Sequence, residues 1–154
     1  MISFRQAVVS DLECIVSWVK SAEECRLWAG AGLTYPIDLE KLPADIAFEI
    51  SDSRILLFKG LIAAFGQVVP KPGGISHLAR IIVAPTHRGK RLGRLLTRHL
   101  LDRALAQNPY IISLNVEKDN LIAIRLYESI GFRGVFIPAF DRLKNNFYME
   151  YSFI

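Results

Sequence analysis

The sequence predicts an α+β fold around a mixed central sheet. Strand-type runs follow one another directly around Lys59-Gly60 and around the breaker-rich turn at residues 70–74, the signature of antiparallel neighbours. In the second half, strand and helix patterns alternate instead. Over 154 residues, 51% apolar, no repeat, low-complexity tract or linker interrupts the pattern, so one domain over residues 1–154 is expected.

Residues 2–7 read as an edge strand, and Ser10 is placed to cap a helix over residues 11–20, where Leu12, Ile15, Val16 and Val19 recur at helical spacing. A short helix over 22–27 precedes a loop at 30–36. A third helix is expected over 39–51, with Pro43 disturbing its early turns. Strands follow at 55–58, 61–69 and 75–83. The long helix at 88–106 carries its apolar stripe on Leu92, Leu95, Leu96, Leu100, Ala104 and Leu105. A strand at 110–116 leads into a helix at 121–130, which Gly131 ends in a C-cap role. Two strands, 132–138 and 146–153, close the chain.

Several function classes drop out on composition. No run approaches the roughly 18–20 apolar residues of a membrane span, since Lys59, Gly60 and Gln67 interrupt the greasiest stretch. The N-terminus lacks a basic segment followed by a long apolar one, so a cytoplasmic protein is expected. Cys14 and Cys25 match neither a redox pair nor half a zinc site, and His77, His87 and His99 are not spaced to share a metal; no metal site is expected.

Charge is concentrated in one place. The net charge is +4, yet Arg88, Lys90, Arg91, Arg94, Arg98 and Arg103 face a single acid, Asp102, within one segment. A nucleic-acid binder using that helix would need interleaved exposed aromatics, which it lacks, so no nucleic-acid partner is expected. A dinucleotide-binding unit would need a G-x-G-x-x-G, also absent. A homodimer is left open.

Arg88-Gly89-Lys90-Arg91-Leu92-Gly93 lies between an apolar strand and the long helix. A helix N-terminus there offers unpaired N–H groups and the positive end of a dipole, a ready site for a pyrophosphate. One strand–helix unit later, Asn120 and Tyr127 stand seven residues apart on nearly one helix face, roughly 10 Å along its axis. Both could line one elongated ligand.

The combined text, residues 82–93 and then 115–132 ending in Tyr127-Glu128-Ser129-Ile130-Gly131-Phe132, closely resembles the GNAT superfamily of acetyl-CoA-dependent N-acetyltransferases. Strong similarity covers about residues 78–132. The resemblance implies the GNAT fold, a mostly antiparallel sheet of six to seven strands flanked by about four helices. It also implies acetyl-CoA as co-substrate and an amine, a small molecule or a protein N-terminus, as acceptor. The family signature runs Gln or Arg, two variable residues, Gly, one variable residue, then Gly or Ala. Arg88 and Gly93 match its ends, but Arg91 replaces the middle glycine, and Arg91 is expected to keep helical or turn dihedrals. By resemblance, Arg88, Gly89, Lys90, Arg91, Leu92, Gly93 and Arg94 hold the pyrophosphate. Ile81, Ile82 and Val83 pair with the pantetheine arm, Asn120 contacts that arm, and Tyr127 sits near the sulfur.

Acyl transfer needs a neutral amine, a stabilised oxyanion and a hydrogen-bonded or protonated leaving thiolate. Strand N–H groups serve the oxyanion. Tyr127 serves the thiolate by hydrogen bonding, because full proton transfer from a phenol at about 10 to a thiolate at about 8.5 runs uphill by roughly 2 kcal/mol. Relatives that acetylate ribosomal proteins or N-terminal alanine carry a Glu five residues before the helix Asn; here that position is Asn115, which cannot take a proton. Glu117 and His77 are the candidate bases. Without a strong base the site favours a low-pKa amine, since deprotonation at pH 7 costs roughly 1 kcal/mol for an α-amine and nearer 5 for a lysine. The acceptor pocket implied by related folds draws on Glu23, Glu24, Arg26, Trp28, Tyr35, Phe140 and Tyr148, and Trp28 with its neighbouring acids would suit a cationic amine. Asn115 and Arg91 also prompt an alternative, a catalytically silent acyl-CoA-binding module.

Overall fold

The structure, a computed structural model, describes residues 1–136 and 146–153. Seven strands form one sheet: β1 (Ile2–Gln6), β2 (Asp52–Phe58), β3 (Leu61–Lys71), β4 (Ile75–Val83), β5 (Ile111–Glu117), β6 (Phe132–Gly134) and β7 (Asn146–Tyr151). Their order is β1-β2-β3-β4-β5-β7-β6, and only β4 and β5 run parallel. The expected edge strand β1 is indeed at the edge. The far end of the predicted strand 132–138 lies outside the described residues.

Among the described residues five helices cover the sheet: α1 (Leu12–Val16), α2 (Ala22–Ala29), α3 (Leu42–Asp45), α4 (Leu92–Leu105) and α5 (Leu121–Ile130). Side chains alternate between the two faces, so Ile55 and Phe65 join a core with α1, α2 and α3, while Leu56 and Ala64 join one with α4 and α5. In α4 the buried stripe takes Leu101, whereas the predicted Leu95 is 38% exposed.

Two helices are shorter than their patterns suggest. Ser10 does not cap α1; the Asp11 carboxylate instead accepts from the Val8 N–H at 2.8 Å and takes both arms of Arg5 at 2.8 and 2.9 Å. A longer-range arginine thus claims the entry to α1. The predicted helix over 39–51 contracts to α3, with Pro43 in its first turn. Ala47 enters the left-handed region (φ 50°), while Phe48 N–H bonds Pro43 O and Ala47 N–H bonds Ala44 O. That is a Schellman stop with alanine where glycine is usual, and no sequence cue marks it.

The sheet opens at one place. β4 pairs with β5 only from Ile75↔Ile111 to Leu78↔Leu114, after which both strands continue without pairing to each other. On its other side β4 bulges: Gln67↔Ala79 and Phe65↔Ile82 leave Gly66 opposite both Arg80 and Ile81. Arg80 has φ 54°, and its carbonyl accepts from the Trp28 indole N–H at 2.9 Å. Trp28, a core anchor at 7% exposure, therefore fixes the bulge from α2.

Candidate active site

Two clefts flank the opening. The first, about 550 Å³, lies at the start of α4 and is lined by Val83, Arg88, Gly89, Arg91, Gly93 and Arg94, with Ile122 and Leu126 of α5 across from them. Helix α4 begins at Leu92, four residues later than the pattern suggests, because Arg91 is left-handed (φ 62°, ψ 23°) and Gly89 also has positive φ (81°). The expectation for Arg91 is corrected. The turn needs φ > 0 where the family motif has glycine, and an L-residue there costs on the order of 1 kcal/mol.

That turn can hold a diphosphate. The first N–H groups of α4 have no helical acceptor, and left-handed turn residues such as Gly89 and Arg91 allow neighbouring backbone donors to converge on an anion. Gly93 adds no Cβ over the backbone; one built there would meet only Val83 Cγ2, at 3.7 Å. Arg88 is tied by its Nε to Val83 O at 3.2 Å, and Arg94 Nη1 bonds Ser129 Oγ on α5 at 2.6 Å. The Arg91 guanidinium makes no hydrogen bond or ion pair among the described residues. Lys90 is turned away from this cleft, its ammonium 5.6 Å from the Phe58 ring centroid.

The second cleft, about 590 Å³, lies between α2 and the separated ends of β4 and β5. His77, Arg80, Asn115 and Glu117 line it from the sheet, Arg26 from α2 and Lys71 from the end of β3. Both candidate bases are here, and each already has a partner. Glu117 is held in an ion pair by Arg26 Nη1. His77 bonds Ser113 Oγ through Nδ1 at 2.8 Å. Its pKa is lowered to about 4, chiefly by burial and further by Lys71 and Arg80, so it is neutral at pH 7.

This half-buried imidazole makes stability pH-dependent. The unfolded chain binds a proton near pH 6.5 that the folded chain refuses until about pH 4. The stability His77 contributes is present above pH 6.5 and is lost as pH falls toward 4, by up to about 3 kcal/mol. Urea midpoints across that window should fall more steeply for the parent than for His77→Gln; parallel curves would show that His77 is free to charge in the fold.

Asn120 and Tyr127 are on α5 as expected, but in different settings. Asn120 is the N-cap, its Oδ1 accepting from Ala123 N–H at 3.2 Å, which leaves its amide N–H groups for other partners. Tyr127 packs on the core against Phe132, ring centroids 6.3 Å apart, and burial pushes its phenol up to about 12. It lines neither cleft. Ile81 and Ile82 are on the stretch of β4 that no longer pairs with β5, and Val83 reaches the first cleft.

Of the expected acceptor residues, only Arg26 and Trp28 line the second cleft among the described residues. Glu23 stands outside it with a side chain 77% exposed, and Glu24 accepts from the Lys20 N–H. Tyr35 is 40% exposed and Phe140 lies outside the described residues. Tyr148 pairs opposite Asn115 and donates to Glu150 at 2.9 Å. Sequence reasoning missed Lys71 and Arg80, for which spacing offers no signal because a bulge and a hairpin end bring them to the cleft.

The acetyltransferase (GNAT) family model matches residues 18–132, most of the chain. The chain belongs to the GNAT acetyltransferase family. Its likeness to the L-methionine sulfoximine/L-methionine sulfone acetyltransferase of Salmonella typhimurium is 38% identity over 52 residues, 34% of this chain and 30% of that one. With the [Ribosomal protein bS18]-alanine N-acetyltransferase of the same organism, identity is 40% over 55 residues, 36% of this chain and 37% of that one. The matched stretch of this GNAT chain thus spans about a third of either relative's length. The crystal structure of PaiA N-acetyltransferase from Thermoplasma acidophilum, in complex with coenzyme A, superposes with a TM-score of 0.74 at 17% identity, covering 99% of each chain. The GNAT fold expected from the motifs is therefore present, with seven strands and five helices among the described residues, two of the latter only four or five residues long. No helix among the described residues is long and apolar enough to cross a membrane, and no group of three or more metal-ligating side chains is found among them.

Proposed function

We propose that this chain is one domain that transfers the acetyl group of acetyl-CoA to a primary amine, of a small molecule or a protein N-terminus, by direct attack in a ternary complex. The observation that carries this reading is the separation of β4 from β5 beyond Leu78, which leaves a free strand edge between an anion cradle and a polar cleft. The cradle takes the pyrophosphate of acetyl-CoA. The edge at Ile81, Ile82 and Val83 pairs with its pantetheine arm, to which Asn120 adds its amide N–H. The amine enters from the second cleft.

In that arrangement the amine nitrogen attacks the thioester carbonyl carbon, the C–S bond breaks, and the nitrogen loses one proton. The β4 N–H groups stabilise the oxyanion. Tyr127 donates a hydrogen bond to the departing sulfur. With its phenol at about 12, complete transfer to a thiolate would run uphill by roughly 5 kcal/mol, so hydrogen bonding is its role. His77 and Glu117 remain the groups through which the amine proton can leave, directly or by water. Two unpaired cysteines, Cys14 and Cys25, suit a reducing cytoplasmic setting.

The test has two readouts. Acetyl-CoA at about 100 times its Kd should raise the apparent stability by about 2.7 kcal/mol, seen as a higher Tm, and adenosine nucleotides should do so less. An amine panel should then release CoA thiol. No Tm shift at millimolar acetyl-CoA would sink the cofactor assignment. The ion pair that occupies Glu117 favours one second reading, a silent acyl-CoA-binding module; a Tm shift with no thiol release from any amine would select it.

A further inference from the structure

The cleft that faces the strand edge is lined by an excess of cations, and two of them have no carboxylate partner among the described residues. Among its described lining residues Arg26, Lys71 and Arg80 stand against one acid, Glu117, and that acid is already paired with Arg26. Neither Lys71 nor Arg80 makes a salt bridge among the described residues. Arg80 is half-buried, and its hydrogen bonds go only to neutral oxygens, Gln67 Oε1 at 2.8 Å and Ile46 O at 3.5 Å. Its buried Nε has no partner. A desolvated guanidinium with no counter-charge is costly to hold unless something supplies one.

Arg80 is also fixed in place. Gln67, which accepts its Nη1–H, is fully buried and donates to both Ile46 O and Ser53 Oγ at 3.0 Å, and Trp28 grips the Arg80 carbonyl. A guanidinium held by its Nη1 in this way keeps its charge at the cleft rather than swinging to solvent. His77 lines the same cleft, where Lys71 and Arg80 add to the effect of burial in opposing its protonation. A polycationic acceptor would meet the same repulsion.

Resting on the acetyl-transfer reading above, we propose that the acceptor is a small amine that also carries a carboxylate, of the α-amino-acid class. The uncompensated charge of Arg80 and Lys71 draws the carboxylate. A cleft of about 590 Å³ suits a ligand of that size. The same cations disfavour the protonated form of an amine bound beside them, which partly does the work of the strong base that Asn115 cannot supply.

The experiment compares matched triples, each an amino acid, its α-amide and its decarboxylated amine, by CoA release and by calorimetry into CoA-loaded protein. The α-amide stands for the first residue of a peptide, so the comparison also separates a free amino acid from a protein N-terminus. The acid should be favoured by about tenfold to a hundredfold in kcat/KM or Kd over its amide. Lys71→Gln, on an exposed side chain, and Arg80→Gln should each narrow that ratio, with the acetyl-CoA Tm shift retained as the check on folding. Amides or polyamines accepted as well as acids, with the Tm shift intact, would overturn the carboxylate inference and leave acetyl transfer standing. If acetyl-CoA shifts no Tm and no amine releases CoA, both readings fall. If acetyl-CoA binds without turnover, a calorimetric preference for the acid supports the carboxylate site, and no preference removes it.

Discussion

Tyr127→Phe is expected to lower kcat by about a hundredfold while changing the Kd for acetyl-CoA by less than about twofold. The ring is partly buried against Phe132 and desolvation raises the phenol to about 12, so at neutral pH it is a hydrogen-bond donor and not a proton source. In the proposed arrangement the hydroxyl donates to the sulfur, a contact that gains most when charge develops there, in the transition state, and little in the ground state. The fold should tolerate the change. No hydrogen bond of the Tyr127 hydroxyl is present among the described residues, so its removal orphans no partner and should cost less than about 1 kcal/mol. Steady-state kinetics on the best amine of the panel, with calorimetry on the same samples, decide the matter. Unchanged kcat would take Tyr127 out of the chemistry and leave it a core aromatic.

Gly66→Val should destabilise the protein by about 4 kcal/mol, lowering Tm by roughly 10 °C. A Cβ at residue 66 would sit 2.7 Å from Leu100 Cδ1, 3.2 Å from Ile81 Cγ1 and 3.3 Å from Leu96 Cδ2. Leu96 and Leu100 are fully buried, so α4 would have to lift from the sheet to make room. Gly66 also faces the bulge that sets Arg80 and the free edge of β4. A displaced α4 carries the anion cradle with it, and acetyl-CoA affinity should fall in the same variant. Thermal melts with and without acetyl-CoA measure both. A Tm within about 2 °C of the parent would mean that the helix-to-sheet contact at Gly66 is slack.

The sequence and the structure agree most closely where one local rule acts alone. Strand β4 and helix α5 match their predicted bounds, because continuous apolar runs and 3.6-residue spacing are local properties. They part where a remote group intervenes. Arg5 takes the entry of α1 from Ser10, and Ala47 stops α3 without a glycine to announce it. Arg91 shows both sides: its replacement of the motif glycine is plain in the sequence, yet its left-handed backbone is set by how β4 must turn into α4.

The same division holds for the site. Contiguous motifs at residues 82–93 and 115–132 were enough to identify the family, and the first pointed to an anion cradle because such a cradle is made of backbone over a few adjacent residues. The character of the acceptor cleft was not legible in that way. Glu23 and Glu24, next to Trp28 in the chain, suggested a site for a cation, but α2 turns both to solvent. Lys71 and Arg80 reach the cleft instead, brought there by a hairpin end and by a bulge that Trp28 holds from 52 residues away. Which charge faces the amine depends on contacts between distant segments, and those exist only once the sheet has closed on its helices.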